Sequence, residues 1–209
     1  MIAIIDYDAG NIKSVEKAFA YLGQDARITR DKDEILASER VVLPGVGSFG
    51  DAMGKLKEYG LDRVIYDVVD KKIPFLGICL GLQLLYESSD ETPGVTGLGL
   101  LEGTINRIPD HPGLKIPHMG WNSLDVRPGA TLFQGLEENP YVYFVHSYYL
   151  KAKHEEEVAA TTYYSTLIHA SVEKENVFAC QFHPEKSSTV GLSILKNFIQ
   201  VPSPAKEEA

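Results

Sequence analysis

A cysteine between two glycines is the residue whose surroundings most clearly indicate chemistry. Cys79 follows the apolar run Pro74–Ile78 and precedes a helical pattern, with Gly77 and Gly81 two residues to either side. Such a turn lifts one side chain onto a sharp strand-to-helix corner, as the Gly-x-Ser-x-Gly elbow of hydrolases does for serine. The N-terminus of a helix favours thiolate over thiol. We therefore predict that Cys79 is a nucleophile.

A cysteine nucleophile requires a base and a group that orients the base. Of the six histidines, only His183 directly follows an apolar strand-like run, Val177–Phe182. Glu185 lies two residues further on, beyond a proline that stiffens the link. These residues suit a Cys-His-acid triad, in which His183 takes the thiol proton and Glu185 fixes the imidazole tautomer.

An oxyanion hole must complete such a site, because attack on a carbonyl creates a negatively charged oxygen. The backbone N–H of Leu80, the residue after the nucleophile, is one predicted donor. The loop 44–50 follows another apolar run and is rich enough in glycine to bring amides close to a ligand. We place the second donor at Val46 or Gly47, although such a loop alone is also typical of a tight turn.

The elements that must position these residues alternate between strand and helix in the first half. Continuous apolar strands alternating with helices predict an α/β fold with a mostly parallel sheet covered on both faces. Active sites in such sheets lie beyond the C-terminal strand ends, where Cys79 and the loop from Pro44 are expected. The predicted strands are Ile2–Ile5, Ala26–Thr29, 41–43 and 74–78, and the predicted helices are 12–22, 51–59, 61–69 and 80–87.

The second half is richer in strands. We predict one domain over residues 1–201, followed by a polar, disordered tail over 202–209. The predicted strands are 98–101, 141–145, 158–163, 168–172 and 177–182, followed by a helix over 188–200.

Composition excludes several classes of partner. The 209 residues carry a net charge of −9 without a basic cluster, so neither nucleic acid nor an anionic membrane is expected to bind. The first residues lack the basic region of a signal peptide, and no apolar run approaches the roughly 20 residues of a membrane span. Two cysteines argue against a disulfide framework and favour the cytoplasm.

No metal or cofactor site is predicted. The histidines are scattered, and Cys79 and Cys180 lack the paired spacing of metal ligands. The loop 44–50 is not a phosphate-binding Walker loop, because no Gly-Lys-Ser/Thr follows it. Cys180 lies among apolar neighbours and is predicted to belong to the core.

Three motifs in chain order resemble class I glutamine amidotransferases: the Pro44–Gly47 loop, Gly77–Gln83 and His183–Glu185. The resemblance implies a flavodoxin-like fold and hydrolysis of glutamine to glutamate and ammonia through a thioester on Cys79. It also implies four residues that bind the glutamine head group, namely Gln83, Glu91, Ser147 and Tyr148. Because side chains alternate along a strand, Ser147 and Tyr148 can face one pocket only at a bulge or a strand end.

Segments 6–11, 117–122 and 143–148 resemble, more narrowly, the glutaminase subunits of imidazole glycerol phosphate synthases. This resemblance implies a (β/α)₈-barrel cyclase partner that uses the ammonia to make imidazole glycerol phosphate and an aminoimidazole carboxamide ribonucleotide in histidine biosynthesis. Asp8 departs from that family's usual glycine. The partner-facing residues we predict are Asn11, Trp121 and Lys186.

Each of these residues also has an ordinary structural explanation. Asn11 suffices as a helix cap, Lys186 as a solvated charge, and Trp121 as a core anchor. Gln83 and Glu91 suffice as surface side chains.

The function also has alternatives. A glutaminase serving anthranilate, aminodeoxychorismate or pyridoxal phosphate synthesis is the nearest, and segment 117–122 argues against it. A non-catalytic subunit would not need an intact Cys79, His183 and Glu185, and a cysteine redox sensor would not need His183-Pro-Glu185.

Overall fold

The structure is a computed structural model that describes residues 1–204. The strands in this range are β1 (Ile2–Ile5), β2 (Ala26–Thr29), β3 (Arg40–Leu43), β4 (Phe75–Ile78), β5 (Ser88–Ser89), β6 (Gly103–Arg107), β7 (His118–Ser123), β8 (Asp125–Val126), β9 (Tyr141–His146), β10 (Tyr148–Ala152), β11 (Val158–Tyr164), β12 (Thr166–Lys174) and β13 (Val177–Cys180). The helices are α1 (Ile12–Tyr21), α2 (Lys32–Leu36), α3 (Phe49–Glu58), α4 (Leu61–Asp70), α5 (Leu80–Leu84) and α6 (Ser188–Gln200).

An eight-stranded sheet contains strands from both halves of the chain. Its order is β2-β1-β3-β4-β13-β12-β11-β8. The five strands from β2 to β13 pair in parallel, and the remaining three pair antiparallel. Every residue of β1, β3, β4 and β13 is buried, as parallel strands covered on both faces require. The predicted α/β fold with a mostly parallel sheet is confirmed.

Two apolar layers cover the two faces of this sheet. Consecutive residues of β1 enter opposite layers, with Ile5 in one and Ile4 in the other. Leu56 of α3 joins the first layer, and Phe19 of α1 and Phe198 of α6 join the second. No helix in residues 1–204 combines the length and apolar character needed to cross a bilayer.

Two smaller sheets lie beside the main one. One has the order β10-β6-β5, and the other pairs β7 with β9. The chain passes from β9 to β10 at Ser147, which belongs to neither strand. This break between two sheets determines how Ser147 and Tyr148 are placed in the candidate site.

The strand predicted at 98–101 is absent, and the helix predicted to run to residue 87 ends at Leu84. Both differences have one cause. The N–H groups of Leu98 and Leu101 donate to the carbonyls of Leu84 and Leu85 at 2.8 and 3.1 Å. The returning chain therefore satisfies the end of α5 instead of forming a ladder with another strand.

Of the tail predicted to be disordered over 202–209, the structure describes residues 202–204. Ser203 is buried, and its hydroxyl donates to the carbonyl of Glu39 at 2.8 Å. This contact ties the segment after α6 to the loop before β3. Residues 205–209 lie outside the described residues.

Candidate active site

Cys79 occupies a strained corner between β4 and α5. Its backbone has φ 55° and ψ −107°, which non-glycine residues rarely adopt. A Cβ on Gly77 would lie 2.8 Å from the carbonyl oxygen of Gly81, and one on Gly81 would lie 1.9 Å from that of Leu43. Both flanking glycines are therefore required by close approach of the backbone.

His183 reaches the same edge of the sheet from the neighbouring strand. β13 runs parallel to β4 with Cys180 opposite Ile78, so both strands deliver their following residues to one side. The short turn Pro184–Lys186 brings Glu185 back, and its Oε1 lies 2.8 Å from His183 Nδ1. The two side chains are only 2% and 1% exposed.

The imidazole nitrogen that does not face Glu185, Nε2, is free to act on the thiol. His183 Nε2 is buried and makes no hydrogen bond within the described residues. Burial lowers the pKa of His183, but the interactions with Cys79 and Glu185 outweigh burial and raise it to about 9. His183 is therefore basic enough to take a proton from sulfur and to hold it at neutral pH.

A cavity of about 340 Å³ opens on this pair and suits a small ligand. Pro117, Val145 and His146 line it in addition to predicted residues. A larger cavity of about 490 Å³ lies elsewhere, but no cysteine or histidine lines it. The predicted site residues that line the smaller cavity are Val46, Gly47, Cys79, Leu80, Gln83, Glu91, Ser147, Tyr148 and His183.

The predicted oxyanion donor at Leu80 is already engaged. Its N–H donates to the carbonyl of Gly45 at 3.3 Å, which is long for such a bond. The Tyr7 hydroxyl donates to the carbonyl of Pro44 at 2.8 Å and anchors this loop. Gly47 has φ 107°, a conformation that favours glycine. The predicted oxyanion role of Leu80 would require its N–H to release the Gly45 carbonyl.

Gln83 and Glu91 are bonded within the protein. Gln83 is only 5% exposed, which excludes the solvent-facing alternative. Its Nε2 donates to the Tyr148 carbonyl at 3.1 Å and to Gln181 Oε1 at 3.0 Å. Glu91 Oε2 accepts the Phe49 N–H at 2.7 Å, at the start of α3.

Ser147 and Tyr148 line one cavity because the chain changes sheets between them. β9 ends at His146 and β10 begins at Tyr148, so the regular alternation of one strand does not apply. The sequence predicted that Ser147 and Tyr148 could face one pocket only at a bulge or a strand end, and a strand end is present there. The Ser147 carbonyl accepts the Ile108 N–H at 2.9 Å, which holds the break in place.

Sequence reasoning missed Gln181, whose Nε2 lies 3.7 Å from Cys79 Sγ. A signal was available, since residues 181 and 183 share one face of an extended segment. It also missed the contact of His146 with His118, whose Nδ1 lies 3.0 Å from His146 Nε2. Nothing in the sequence pairs those two histidines before β7 is known to lie beside β9.

Residues 1–204 contain no group of three or more His, Cys, Asp or Glu side chains that could hold a metal ion.

Comparison with known proteins identifies the family. The model of the family "Glutamine amidotransferase class-I" matches residues 3–201. The chain belongs to the class-I glutamine amidotransferase family. The resemblance on which the function was predicted is thereby confirmed.

Curated relatives narrow this family membership. The chain is 50% identical over 200 residues to "Imidazole glycerol phosphate synthase subunit HisH" of Thermosynechococcus vestitus, covering 95% of each chain. It is 45% identical to the protein of the same name from Methanocaldococcus jannaschii, covering 96% of this chain and all of the other. The predicted relationship to this class of synthase subunit is confirmed.

Solved structures support the class-I amidotransferase fold. A crystal structure titled as a glutamine amidotransferase matches with a TM-score of 0.74 at 21% identity, over 96% of this chain and 98% of the other. PurLQS from Thermotoga maritima matches with a TM-score of 0.72, also at 21% identity, over 95% of this chain and 96% of that one. At this identity the likeness concerns the fold.

The candidate partner-facing residues of this amidotransferase lie outside the core. Trp121 is 53% exposed, so the core-anchor alternative is wrong. Met119 on the same face of β7 is 62% exposed. Exposed apolar groups of this kind are typical of interaction surfaces. Lys186 is exposed beside the triad turn.

Asn11 differs from the predicted helix cap. It stands at the N-cap position of α1 with φ 62°, but its side chain bonds no helix N–H. Its Oδ1 instead accepts the Ser14 hydroxyl at 2.7 Å, because the left-handed backbone directs it away from the first turn. Asn11 and Glu185 line one narrow cleft. Because Asn11 does not cap α1, its side chain is available for the predicted contact with a partner.

Asp8 occupies a conformation that glycine adopts readily, with φ 65°. Its carboxylate accepts hydrogen bonds from Arg30 at 2.7 Å and Tyr59 at 2.5 Å. The bonds from Tyr59 and Arg30 lower the pKa of Asp8. Asp8 thus holds its loop through Arg30 and Tyr59.

Proposed function

We propose that the chain hydrolyses the side-chain amide of glutamine and passes the ammonia to a (β/α)₈-barrel cyclase subunit of imidazole glycerol phosphate synthase. Supporting observations are the 50% identity to HisH subunits, the cavity that Cys79 shares with His183, and the pairing of His183 with Glu185. The cavity geometry carries the chemical part of the proposal. We also propose that residues 1–201 act as one domain, in the cytoplasm.

In the first step, Cys79 Sγ attacks the carbonyl carbon of the glutamine side chain. The carbonyl oxygen becomes negative, and we assign its stabilisation to backbone N–H groups at Leu80 and at Val46 or Gly47. Each such donor lowers the barrier by roughly 3 kcal/mol. The C–N bond then breaks as His183 Nε2 donates a proton to the leaving nitrogen, which departs as ammonia and leaves a thioester.

In the second step, a water molecule hydrolyses the thioester. His183 Nε2, now neutral, takes a proton from the water as the oxygen attacks the same carbonyl carbon. The C–S bond breaks, glutamate leaves, and the cycle closes with the sulfur freed beside His183, which again holds the proton taken from water. Throughout, Glu185 Oε1 accepts a hydrogen bond from His183 Nδ1 at 2.8 Å and stabilises the imidazolium.

We assign the binding of the glutamine head group to Gln83, Glu91, Ser147 and Tyr148. All four line the cavity. The carboxylate of Glu91 is an acceptor suited to the substrate ammonium group. Its Oε2 is held by the Phe49 N–H, which fixes the side chain in that direction.

The partner is proposed to cover the edge that carries Asn11, Trp121 and Lys186. Ammonia is mostly protonated in water at neutral pH, and ammonium is a poor nucleophile, so sheltered transfer suits the chemistry. The apolar face with Met119 and Trp121 would be buried in such a complex. The cyclase would combine the ammonia with a phosphoribulosyl-formimino-carboxamide ribonucleotide.

The test uses the complex of this chain with a candidate barrel subunit. We expect Cys79→Ala to abolish glutamine-dependent synthesis of imidazole glycerol phosphate and to preserve synthesis from added ammonium salt. Cys180→Ala is the matched control, because Cys180 is fully buried on β13 and should leave both activities largely intact. Loss of both activities in Cys79→Ala would contradict the proposal.

Glutamate release with and without the barrel subunit and its ribonucleotide separates the alternatives. Strong activation by the liganded partner supports a dependent glutaminase subunit. Equal, fast turnover by the isolated chain contradicts that dependence, and no turnover in any mixture favours a non-catalytic subunit.

A further inference from the structure

A buried amide lies directly against the nucleophile. Gln181 is fully buried between the end of β13 and His183, and its Nε2 is 3.7 Å from Cys79 Sγ. Its backbone N–H donates to the Ala170 carbonyl at 2.8 Å, which anchors it to the neighbouring strand. The side chain is therefore held at the reacting atom by the sheet itself.

The hydrogen-bond network determines which end of each amide faces which atom. A carbonyl oxygen only accepts, so the Gln83 atom 3.1 Å from the Tyr148 carbonyl must be the NH₂ nitrogen. The same nitrogen lies 3.0 Å from Gln181, so the Gln181 atom there must be the oxygen. The NH₂ of Gln181 is consequently directed at the sulfur. Reversing either amide would bring two donors or two acceptors together.

We propose that Gln181 is a further catalytic residue, whose NH₂ group donates a hydrogen bond to Cys79 Sγ and stabilises the thiolate. Gln83 is the positioning residue that orients it. In this arrangement both hydrogens of the Gln83 nitrogen are used, so this nitrogen has none left for substrate. The inference deepens the proposed function, but its physical claim concerns the sulfur alone.

The charges around the sulfur explain why a neutral donor is useful there. His183 is the cationic neighbour, and Glu185 behind it offsets part of that charge. Tyr7 and Cys180 also face Cys79, and burial raises the pKa of both well above neutral, so both are uncharged. Before the sulfur attacks, and again when the C–S bond of the thioester breaks, Gln181 is a neutral donor to the thiolate in addition to His183.

The interaction should be visible in the reactivity of the thiol. Hydrogen bonds to a charged group are about twice as strong as neutral ones. Replacing Gln181 should therefore lower the thiolate population at acidic pH by about ten- to a hundredfold. The thiolate and not the thiol reacts with alkylating reagents, so the rate of alkylation reports this population.

The experiment measures alkylation of Cys79 by iodoacetamide against pH in the full chain, with the adduct located by mass spectrometry. We expect Gln181→Leu to raise the pH of half-maximal rate by about one to two units. Gln181→Glu should raise it further, since a carboxylate beside a thiolate disfavours the charged form. Gln83→Leu, which frees the Gln181 amide to rotate, should raise it less.

Ser171→Ala is the matched control. Ser171 lies opposite Cys180 on β12 and is fully buried, and its hydroxyl donates to the Ala179 carbonyl at 2.8 Å. The control therefore loses a buried hydrogen bond of the same sheet without touching the sulfur. Its half-maximal pH should equal that of the unaltered chain. Thermal unfolding of every variant reports whether the fold is retained.

An unchanged half-maximal pH in folded Gln181→Leu overturns the proposal. If that variant does not fold, an unchanged value in Gln181→Glu and Gln83→Leu overturns it equally. Glutamate release by the complex is measured as well, so that failure of the Gln181 proposal can be distinguished from failure of the proposed glutaminase function. Shifted alkylation without any glutaminase activity of the unaltered complex would preserve the Gln181 contact and reject the glutaminase.

Discussion

Two pairs of buried side chains near one cavity hold their histidines in opposite states. The pKa of His183, paired with Glu185 and facing Cys79, is raised to about 9. Burial lowers the pKa of His118 to about 4 and that of His146 to about 3. His183 and His146 line the same cavity. The comparison shows that burial by itself lowers the pKa of a histidine and leaves the imidazole neutral. An anionic partner is needed to raise the pKa enough for the imidazole to take and hold a proton.

The neutral pair has a fixed hydrogen-bond direction. The Tyr148 carbonyl lies 2.8 Å from His146 Nδ1, so that nitrogen must carry the proton. His146 Nε2 therefore accepts from His118 Nδ1 at 3.0 Å. His118 Nε2 in turn faces the amide nitrogen of Asn122 at 3.4 Å. This pair supports the cavity-lining segment at Tyr148, whereas we propose that the other pair moves protons.

The largest expected effect comes from removing the anion of the first pair. Glu185→Gln keeps the shape but allows the wrong imidazole tautomer, so we expect kcat for glutamate release to fall roughly 10³- to 10⁴-fold. The assay is glutamate release by the complex at saturating glutamine. Glu157→Gln is the control, because Glu157 is a buried carboxylate that pairs with Lys174 instead. A loss below tenfold would mean that Glu185 does not orient the base.

The pH dependence of stability should expose the second pair. A histidine with a lowered folded pKa binds fewer protons when folded, so its contribution is complete above pH 6.5 and is lost as the pH falls towards 4. Between pH 6.5 and 5, His118 alone should cost roughly 2 kcal/mol of unfolding free energy. His183 has the opposite sign, since its contribution is present below pH 6.5 and is lost as the pH rises through about 9.

Urea unfolding of His118→Phe at pH 5 and pH 7 checks this expectation. Phenylalanine retains the stacking against Phe144 and Tyr164, whose ring centres lie 4.6 and 4.1 Å from that of His118. The loss of stability between the two pH values should shrink relative to the unaltered chain. His111→Phe, at an exposed position, should leave that loss unchanged. Equal losses in all three proteins would refute neutral burial of His118.

The smallest effect comes from giving the second pair an anion. Asn122→Asp places a carboxylate beside His118 Nε2 and retains an oxygen for the Ser123 N–H. We expect the pKa of His118 to rise by about one unit, as measured by NMR titration of its ring protons. Asn106→Asp, at a half-buried position on β6, is the control. A His118 pKa that stays at its original value would show that burial outweighs the added charge.

Much of the site was predictable from local patterns. The two glycines around Cys79 are required by contacts shorter than 3 Å, so their spacing carries structural information. The apolar runs of β4 and β13 end directly before the cysteine and shortly before the histidine, which indicated one sheet edge. The polar, glycine-containing strand β7 has no such pattern, and it was missed together with the histidine it brings to His146.

The sequence by itself determined the strained elbow at Cys79, the acid two residues after His183 and the parallel half of the sheet, because each depends on neighbours in the chain. Only the tertiary structure decided that Leu80 donates to Gly45, that Gln181 faces the sulfur and that His118 is neutral. Those properties depend on which distant groups share a buried space. The partner of a hydrogen bond and the pKa of a buried group depend on residues that are distant in the chain, and no local pattern of residues specifies which of them come together.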